Sequence, residues 1–244
     1  MPRATPVPSS KRLRYKPNRG YARGDAARQR LIAAGLELFG RHGFDGASTR
    51  DIAAAAGLNA PSLQYYFNNK RGLYLACAQS VVAAFWTAMR DVVIAAERLL
   101  AERASDQALV DAFCAMWSEF GEFLGVADEG LFLLVARDQS GREPDAVFEG
   151  TDRRVQRLSR AAVAIIGRLL DLPPGSAECA LRAASLSGPL WVFYFMRRSV
   201  LRALRRRELG STDAAMIKRI TAEHTRACLN AMIAARSRAR RSPR

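Results

Sequence analysis

Catalytic side chains are scarce in this chain, and each scarcity excludes something. Among its 244 residues are two histidines, His42 and His224, far apart in sequence. The four cysteines, Cys77, Cys114, Cys179 and Cys228, are widely spaced and form no C-x-x-C. That spacing argues against a zinc site or a disulfide framework. Each cysteine sits on an apolar helical stretch, so buried reduced thiols in a cytoplasmic protein are expected. No paired catalytic carboxylates stand out, and no glycine loop is suited to cradling a phosphate, because GLNAPS is not a G-x-G-x-x-G. Catalytic residues, metal and cofactor are therefore all read as none, and an enzyme is set aside.

Strand signals are lacking too. Alanine, leucine and arginine dominate and alternating β-branched runs are absent, which predicts an all-α protein. Met1 is followed by proline and charge, not by the apolar stretch of a secretory signal. Eighteen uncharged residues lie between Arg71 and Arg90. They fall short of the roughly 20 apolar residues a span prefers and include Tyr74, Gln79, Ser80 and Thr87. A buried connecting helix is expected there, and no membrane partner.

Acidic residues are missing where the basic ones are densest. The net charge is +15, and residues 1–24 hold +7 of it with no acid. Residues 236–244 hold another +5, while residues 76–235 sum to only +1. The body therefore reads as nearly neutral, and its second domain is not expected to be a polyanion surface. Residues 1–22, with four prolines, are expected to be a disordered basic arm. Such an arm either enters a minor groove and tracks phosphates or only aids solubility.

What is present is concentrated in residues 48–70, STRDIAAAAGLNAPSLQYYFNNK. Ser48 is a good N-cap, and Asp51 three residues on completes a capping-box variant. Ile52, Ala53 and Ala56 supply an apolar face at helical spacing. Gly57 suits a left-handed helix exit. Asn59 is a second N-cap, with Pro61 in the first turn that follows. In that second helix Leu63 and Phe67 share the inward face. Pro61, Ser62, Gln64, Tyr65 and Asn68 are left outside. An ordinary helical hairpin would simply solvate that outer face. Tyr65 and Tyr66 are bulky for such a role, Gln64 can pair bidentately with adenine, Ser62 can reach a base or phosphate, and Lys70 a phosphate. The candidate DNA-binding residues are Ser48, Thr49, Arg50, Asn59, Ala60, Pro61, Ser62, Gln64, Tyr65, Tyr66 and Lys70. Ahead of the pair, Leu31, Ile32, Gly35, Leu38 and Phe39 form one apolar stripe that ends at Arg41-His42-Gly43.

From about residue 23 to residue 78 the chain resembles the DNA-binding domain of the TetR family of transcriptional regulators. The matching features are an amphipathic helix ending in aromatic-x-x-x-Gly, a T-x-R-D-I-A helix and a recognition helix ending near Phe67. An N-K and L-Y step then leads into a long fourth helix. Gln64 and Tyr66 stand where the family usually has tyrosine and histidine, so the operator should differ in detail. LYLACAQ, with LVARDQSGREPDAVFEG later, looks like the CecR subgroup. Here Asp138 replaces the usual glutamate and Pro144 is displaced. The resemblance implies a homodimer on a palindromic double-stranded DNA operator, released by a small apolar or amphipathic effector. It also suggests drug-efflux genes as targets. A non-specific architectural DNA binder driven by the basic tails is the alternative.

The expected organisation is residues 1–22 as arm, 23–75 as a three-helix helix-turn-helix domain, 76–235 as a helical effector-binding and dimerisation domain, and 236–244 as a basic tail. Within the second domain, helices are expected over 71–103, 105–126, 131–138, 144–172, 176–209 with a kink at Gly188-Pro189, and 213–235. Effector contacts are assigned to Phe85, Met89, Trp117, Phe120, Arg137, Trp191 and Tyr194, although aromatic stripes at this spacing are often plain core. Arg137 either points inward or pairs with Asp138, Glu143 or Asp145. By the resemblance, the dimer interface takes Leu190, Phe193, Ile217, Ile220, His224 and Leu229. Such a regulator would be cytoplasmic and associated with the bacterial nucleoid.

Overall fold

The computed structural model describes residues 19–126, 133, 134, 137 and 153–241, with the side chains of 19–22, 124–126, 194 and 195 outside that description. Most of the basic arm and the segment holding Asp138, Glu143, Pro144 and Asp145 thus lie outside the described residues. Nine helices and no strand occur among those described. They are α1 (Arg19–Gly46), α2 (Thr49–Ala55), α3 (Ala60–Phe67), α4 (Lys70–Ala101), α5 (Asp106–Val126), α6 (Arg153–Leu170), α7 (Ala177–Phe195), α8 (Arg197–Ala203) and α9 (Ser211–Arg241).

The chain folds around two apolar clusters joined by α4. The first takes Leu31 and Phe39 from α1, Ile52 from α2, Leu63 and Phe67 from α3, and Leu73, Tyr74 and Cys77 from α4. Burying each large apolar side chain there contributes about 1.5–3 kcal/mol. Gly35 lets α1 and α4 approach closely, because a Cβ on it would lie 2.8 Å from the Cys77 sulfur. Burial pushes the Cys77 thiol up to about 12. The second cluster joins α4, α5, α6, α7 and α9 through Met89, Val93, Phe113, Ile165, Leu186 and Leu229. Helix α4 spans 32 residues and is long and apolar enough to cross a membrane, yet half of its most apolar window is buried inside the fold. It is a core helix shared by two domains.

Helix ends follow the local chemistry. Gly43 sits at φ 76° and ψ 175°, so α1 breaks there and turns once more before Gly46. Asp171, at φ 56°, closes α6, and the Leu172 N–H returns to the Gly167 carbonyl at 3.0 Å. The expected single helix over 176–209 is instead two. Helix α7 runs through Pro189, and the break falls at Met196, at φ −103° and ψ 21°. Proline at 189 removes a single helical donor, whereas Met196 leaves helical geometry altogether. Cys228 is exposed, unlike the three buried cysteines, because it lies on the outer side of α9.

Candidate nucleic-acid interface

The site is built on two helix caps. The Ser48 hydroxyl accepts the Asp51 N–H at 3.0 Å and donates to the Asp51 carboxylate at 2.7 Å, which fixes the start of α2. Asn59 does the same for α3, its Oδ1 accepting the Ser62 N–H at 3.1 Å and the Ser62 hydroxyl at 2.6 Å. Each cap contributes about 1 kcal/mol. Gly57, at φ 65°, makes the turn between them. Leu63 and Phe67 bury one side of α3 at 2% and 7% exposure. The other side is thereby presented outward, with Ala60, Pro61 and Gln64 exposed and Tyr65 82% exposed.

A tight junction fixes the far end of α3. Asn68 takes φ 61°, and the Asn69 side chain accepts the Gly72 N–H at 2.8 Å. A Cβ on Gly72 would lie 2.0 Å from the Phe67 carbonyl oxygen, so only glycine fits. No separate sequence signal marks this close approach.

The structure divides the expected DNA-facing residues. Arg50 is exposed and forms no ion pair among the described residues, and Thr49 is half-buried. The hydroxyls of Ser48 and Ser62 are committed to the caps. Tyr66 is half-buried, stacked edge-on to Tyr65 at 5.0 Å, and its phenol lies against α1, 3.7 Å from where a Cβ on Gly24 would sit. Lys70 departs from its expected role as a phosphate ligand. Its ammonium donates to the Asp45 carbonyl at 3.2 Å and lies 4.7 Å from the Phe44 ring centre, so it braces the end of α1.

Arg137 makes a contact that its spacing did not suggest, while Asp138, Glu143 and Asp145 lie outside the described residues. Its Nε donates to the Gly40 carbonyl at 2.8 Å and its Nη2 to the Arg41 carbonyl at 3.0 Å. These carbonyls belong to the last turn before the Gly43 break, where helical partners run out and the dipole favours a cation. Leu134, nearby in sequence, is fully buried in the DNA-binding cluster. Leu134 and Arg137 thus lie against the DNA-binding domain.

Of the remaining effector candidates, Phe85, Met89 and Phe120 lie in the core and Trp117 and Trp191 pack against it. Met89 is fully buried, and Phe120 meets Phe85, Trp117 and Trp191 at 5.9, 5.7 and 5.3 Å between ring centres. Tyr194 has its side chain outside the described residues. Beside Trp117 is a cavity of about 10 Å³, room for one water, lined by Cys114, Ser118, Leu186, Pro189, Leu190, Thr221 and Thr225 among others. The Trp117 indole N–H is buried there with no acceptor among the described residues. Two of the expected interface residues are also core: Leu190 and Leu229 are 4% and 0% exposed against their own chain and have no surface left for a partner. Phe193, Ile217 and Ile220 are half-buried and His224 is exposed. Leu181, Val192 and Met216, which sequence reasoning missed, are the exposed apolar residues of α7 and α9.

The basic C-terminus points away from the recognition helix. Arg236 donates to Asp106 at 2.7 Å and Arg240 pairs with Asp171 at 2.6 Å. Both acids lie at the end of the second domain that is far from α3, which disfavours an architectural binder driven by this tail.

Comparison with known proteins agrees with this geometry. Residues 31–77 match the profile of the bacterial regulatory proteins of the tetR family. Residues 125–232 match that of the C-terminal domain of the HTH-type transcriptional dual regulator CecR. The HTH-type transcriptional dual regulator CecR of Shigella flexneri is 43% identical over 88 residues, 36% of this chain and 39% of that protein. The aligned stretch therefore spans about two fifths of that relative's length. Among solved structures, a transcriptional regulator from Pseudomonas aeruginosa PAO1 superposes with a TM-score of 0.59 and 18% identity, covering 93% of this chain and 98% of its own. AibR, in complex with isovaleryl coenzyme A and operator DNA, superposes with a TM-score of 0.59 and 13% identity, over 80% of this chain and 96% of its own.

Proposed function

We propose, from the premise that this chain belongs to the TetR family of transcriptional regulators and is of the CecR-like type, that it is a ligand-responsive repressor. In this reading it binds a palindromic operator as a homodimer, in the cytoplasm and on the nucleoid. The observation that carries it is the outward face of α3, where Gln64 and Tyr65 are exposed on a helix capped at one end and locked by Gly72 at the other. Gln64 is suited to bidentate pairing with adenine, and Tyr65 to apolar contact with a thymine methyl or to a phosphate.

One short recognition helix reads few base pairs, so two-fold pairing is needed to double the contact. Leu181, Val192 and Met216, with half-buried Phe193, Ile217 and Ile220, supply the apolar surface of α7 and α9 on which we place that dimer. Effector binding is placed beside Trp117, whose indole N–H lacks an acceptor among the described residues. A small apolar or amphipathic molecule carrying an acceptor would satisfy it, and would have to enlarge the present cavity. Such a ligand lowers operator occupancy only by as much as it prefers the released state. The Arg137 link to α1 is the route by which movement of the second domain reaches the first.

The test is selection of bound sequences from random duplexes, repeated with candidate ligands. Enrichment of a two-fold symmetric site that weakens with ligand supports the reading. Retention of all sequences alike would return the architectural alternative.

A further inference from the structure

The connection between α7 and α9 carries Arg197, Arg198, Arg202, Arg205, Arg206 and Arg207, six arginines in eleven residues with no acid between them. All six are exposed. Charges over the second domain nearly cancel in sum, yet here they do not cancel locally. Arg206 alone of the six forms an ion pair among the described residues, donating at 2.7 Å to Asp213. That carboxylate is 7% exposed and also accepts the Gly210 N–H at 3.0 Å, which pins the connection to the start of α9. Arg202 donates only to the Arg198 carbonyl, at 3.4 Å. Five exposed guanidinium groups within eleven residues are thus left without an acid partner among the described residues, a concentration of positive charge that a polyanion would offset.

Packing locates this cluster. Lys218, one turn and a half beyond Asp213 on α9, pairs with Glu122 near the end of α5. Trp191 of α7 packs edge-on against Phe120, which packs edge-on against Phe85 of α4. Eight residues before Phe85, Cys77 is already part of the DNA-binding core, about 12 Å away along the helix. The arginine cluster thus lies at the end of the second domain that faces the helix-turn-helix. The C-terminal arginines lie at the other end, beside Asp106 and Asp171.

We infer that the arginine cluster between α7 and α9 is a second DNA contact, binding backbone phosphates beside the half-site that α3 reads. The inference rests on the reading of the chain as a DNA-binding regulator. Guanidinium groups suit phosphate oxygens through paired N–H donors. Met196 and Leu204 are exposed beside them, but a seven-residue helix offers little apolar face to a membrane. The contact adds affinity and register without reading bases.

The experiment compares the full chain with a triple variant, Arg198→Gln, Arg202→Gln and Arg205→Gln. Affinity is measured across a range of salt, by fluorescence anisotropy, on one duplex that the wild-type chain has selected from a random library. The three side chains make no ion pair, so the variant is expected to keep the wild-type circular dichroism and melting temperature. Each lost phosphate contact flattens the plot of log affinity against log salt by about 0.9, so three arginines in each of two protomers remove up to about 5. Affinity at low salt is expected to fall at least about tenfold, with base preference unchanged. The matching triple lysine variant, which keeps the charge, is expected to restore the slope. A glutamine variant with the wild-type slope overturns the inference. So does loss of binding to phosphatidylglycerol vesicles with DNA binding unchanged, which would assign the cluster to a membrane surface. A wild-type chain that enriches no duplex overturns the regulator reading itself, and the cluster's role with it.

Discussion

Replacing Arg137 by methionine should loosen the DNA-binding domain from the rest of the chain. Methionine keeps much of the aliphatic stem and removes the guanidinium, and with it the hydrogen bonds to the Gly40 and Arg41 carbonyls. Hydrogen bonds from a charged group contribute about 1.5–3 kcal/mol each when sheltered. Arg137 is only half-buried, so roughly 2 kcal/mol for the pair is a fair sum. For a chain of this size that lowers the melting temperature by about 4–8 °C. Lysine at 137 can reach one carbonyl at a time and should recover about half of the loss. Differential scanning calorimetry at a fixed protein concentration reads the effect, since assembly makes melting concentration-dependent. The methionine variant should also show an early transition, as α1–α3 unfold ahead of the second cluster. If it melts with the wild type in a single transition, Arg137 does not fasten the two domains and the reasoning fails.

Gln64→Ala should cost about 1–3 kcal/mol of discrimination at one base position and leave the others intact, as read by repeating the duplex selection. Gly72→Ala forces a Cβ to within 2.0 Å of the Phe67 carbonyl, and operator binding should vanish together with the folded signal of the first domain in hydrogen exchange. Leu134→Ala, opening a hole in the DNA-binding core, should destabilise by about 2–5 kcal/mol in urea titration. Burial raises the Cys77 thiol from its ordinary 9.0 to about 12, so the folded state keeps a proton that the unfolded state gives up. Stability from this group is whole below pH 9.0 and falls as pH rises towards 12, visible as a lower urea midpoint in alkali that Cys77→Ala makes smaller.

The local signals were legible in the sequence and the distant ones were not. Ser48, Asn59 and Gly43 act within four residues of themselves, and the structure finds each doing what its chemistry prescribes. Arg137 meets carbonyls 97 and 96 residues away, and no pattern of spacing encodes such a contact. Lys70 looked like a phosphate ligand because its charge stands at the end of the recognition segment, but its nearest acceptor is a backbone carbonyl 25 residues back. The resemblance names the helices that pair but not which apolar side of each faces a partner, and Leu190 and Leu229 turn inward. Net charge misled in a similar way. A sum of +1 over residues 76–235 hides the arginines at 197–207, a stretch that contains no acid and in which only Arg206 has an acid partner among the described residues.

Sequence-specific DNA recognition through the outer face of α3 is the central claim, and competition binding tests it most directly. The wild-type chain is titrated onto its selected duplex and onto a scrambled duplex of the same length, at one salt concentration. A preference of about a thousandfold or more is expected, and Gln64→Ala should reduce it. Equal affinity for the two duplexes, unchanged by Gln64→Ala, would contradict the claim.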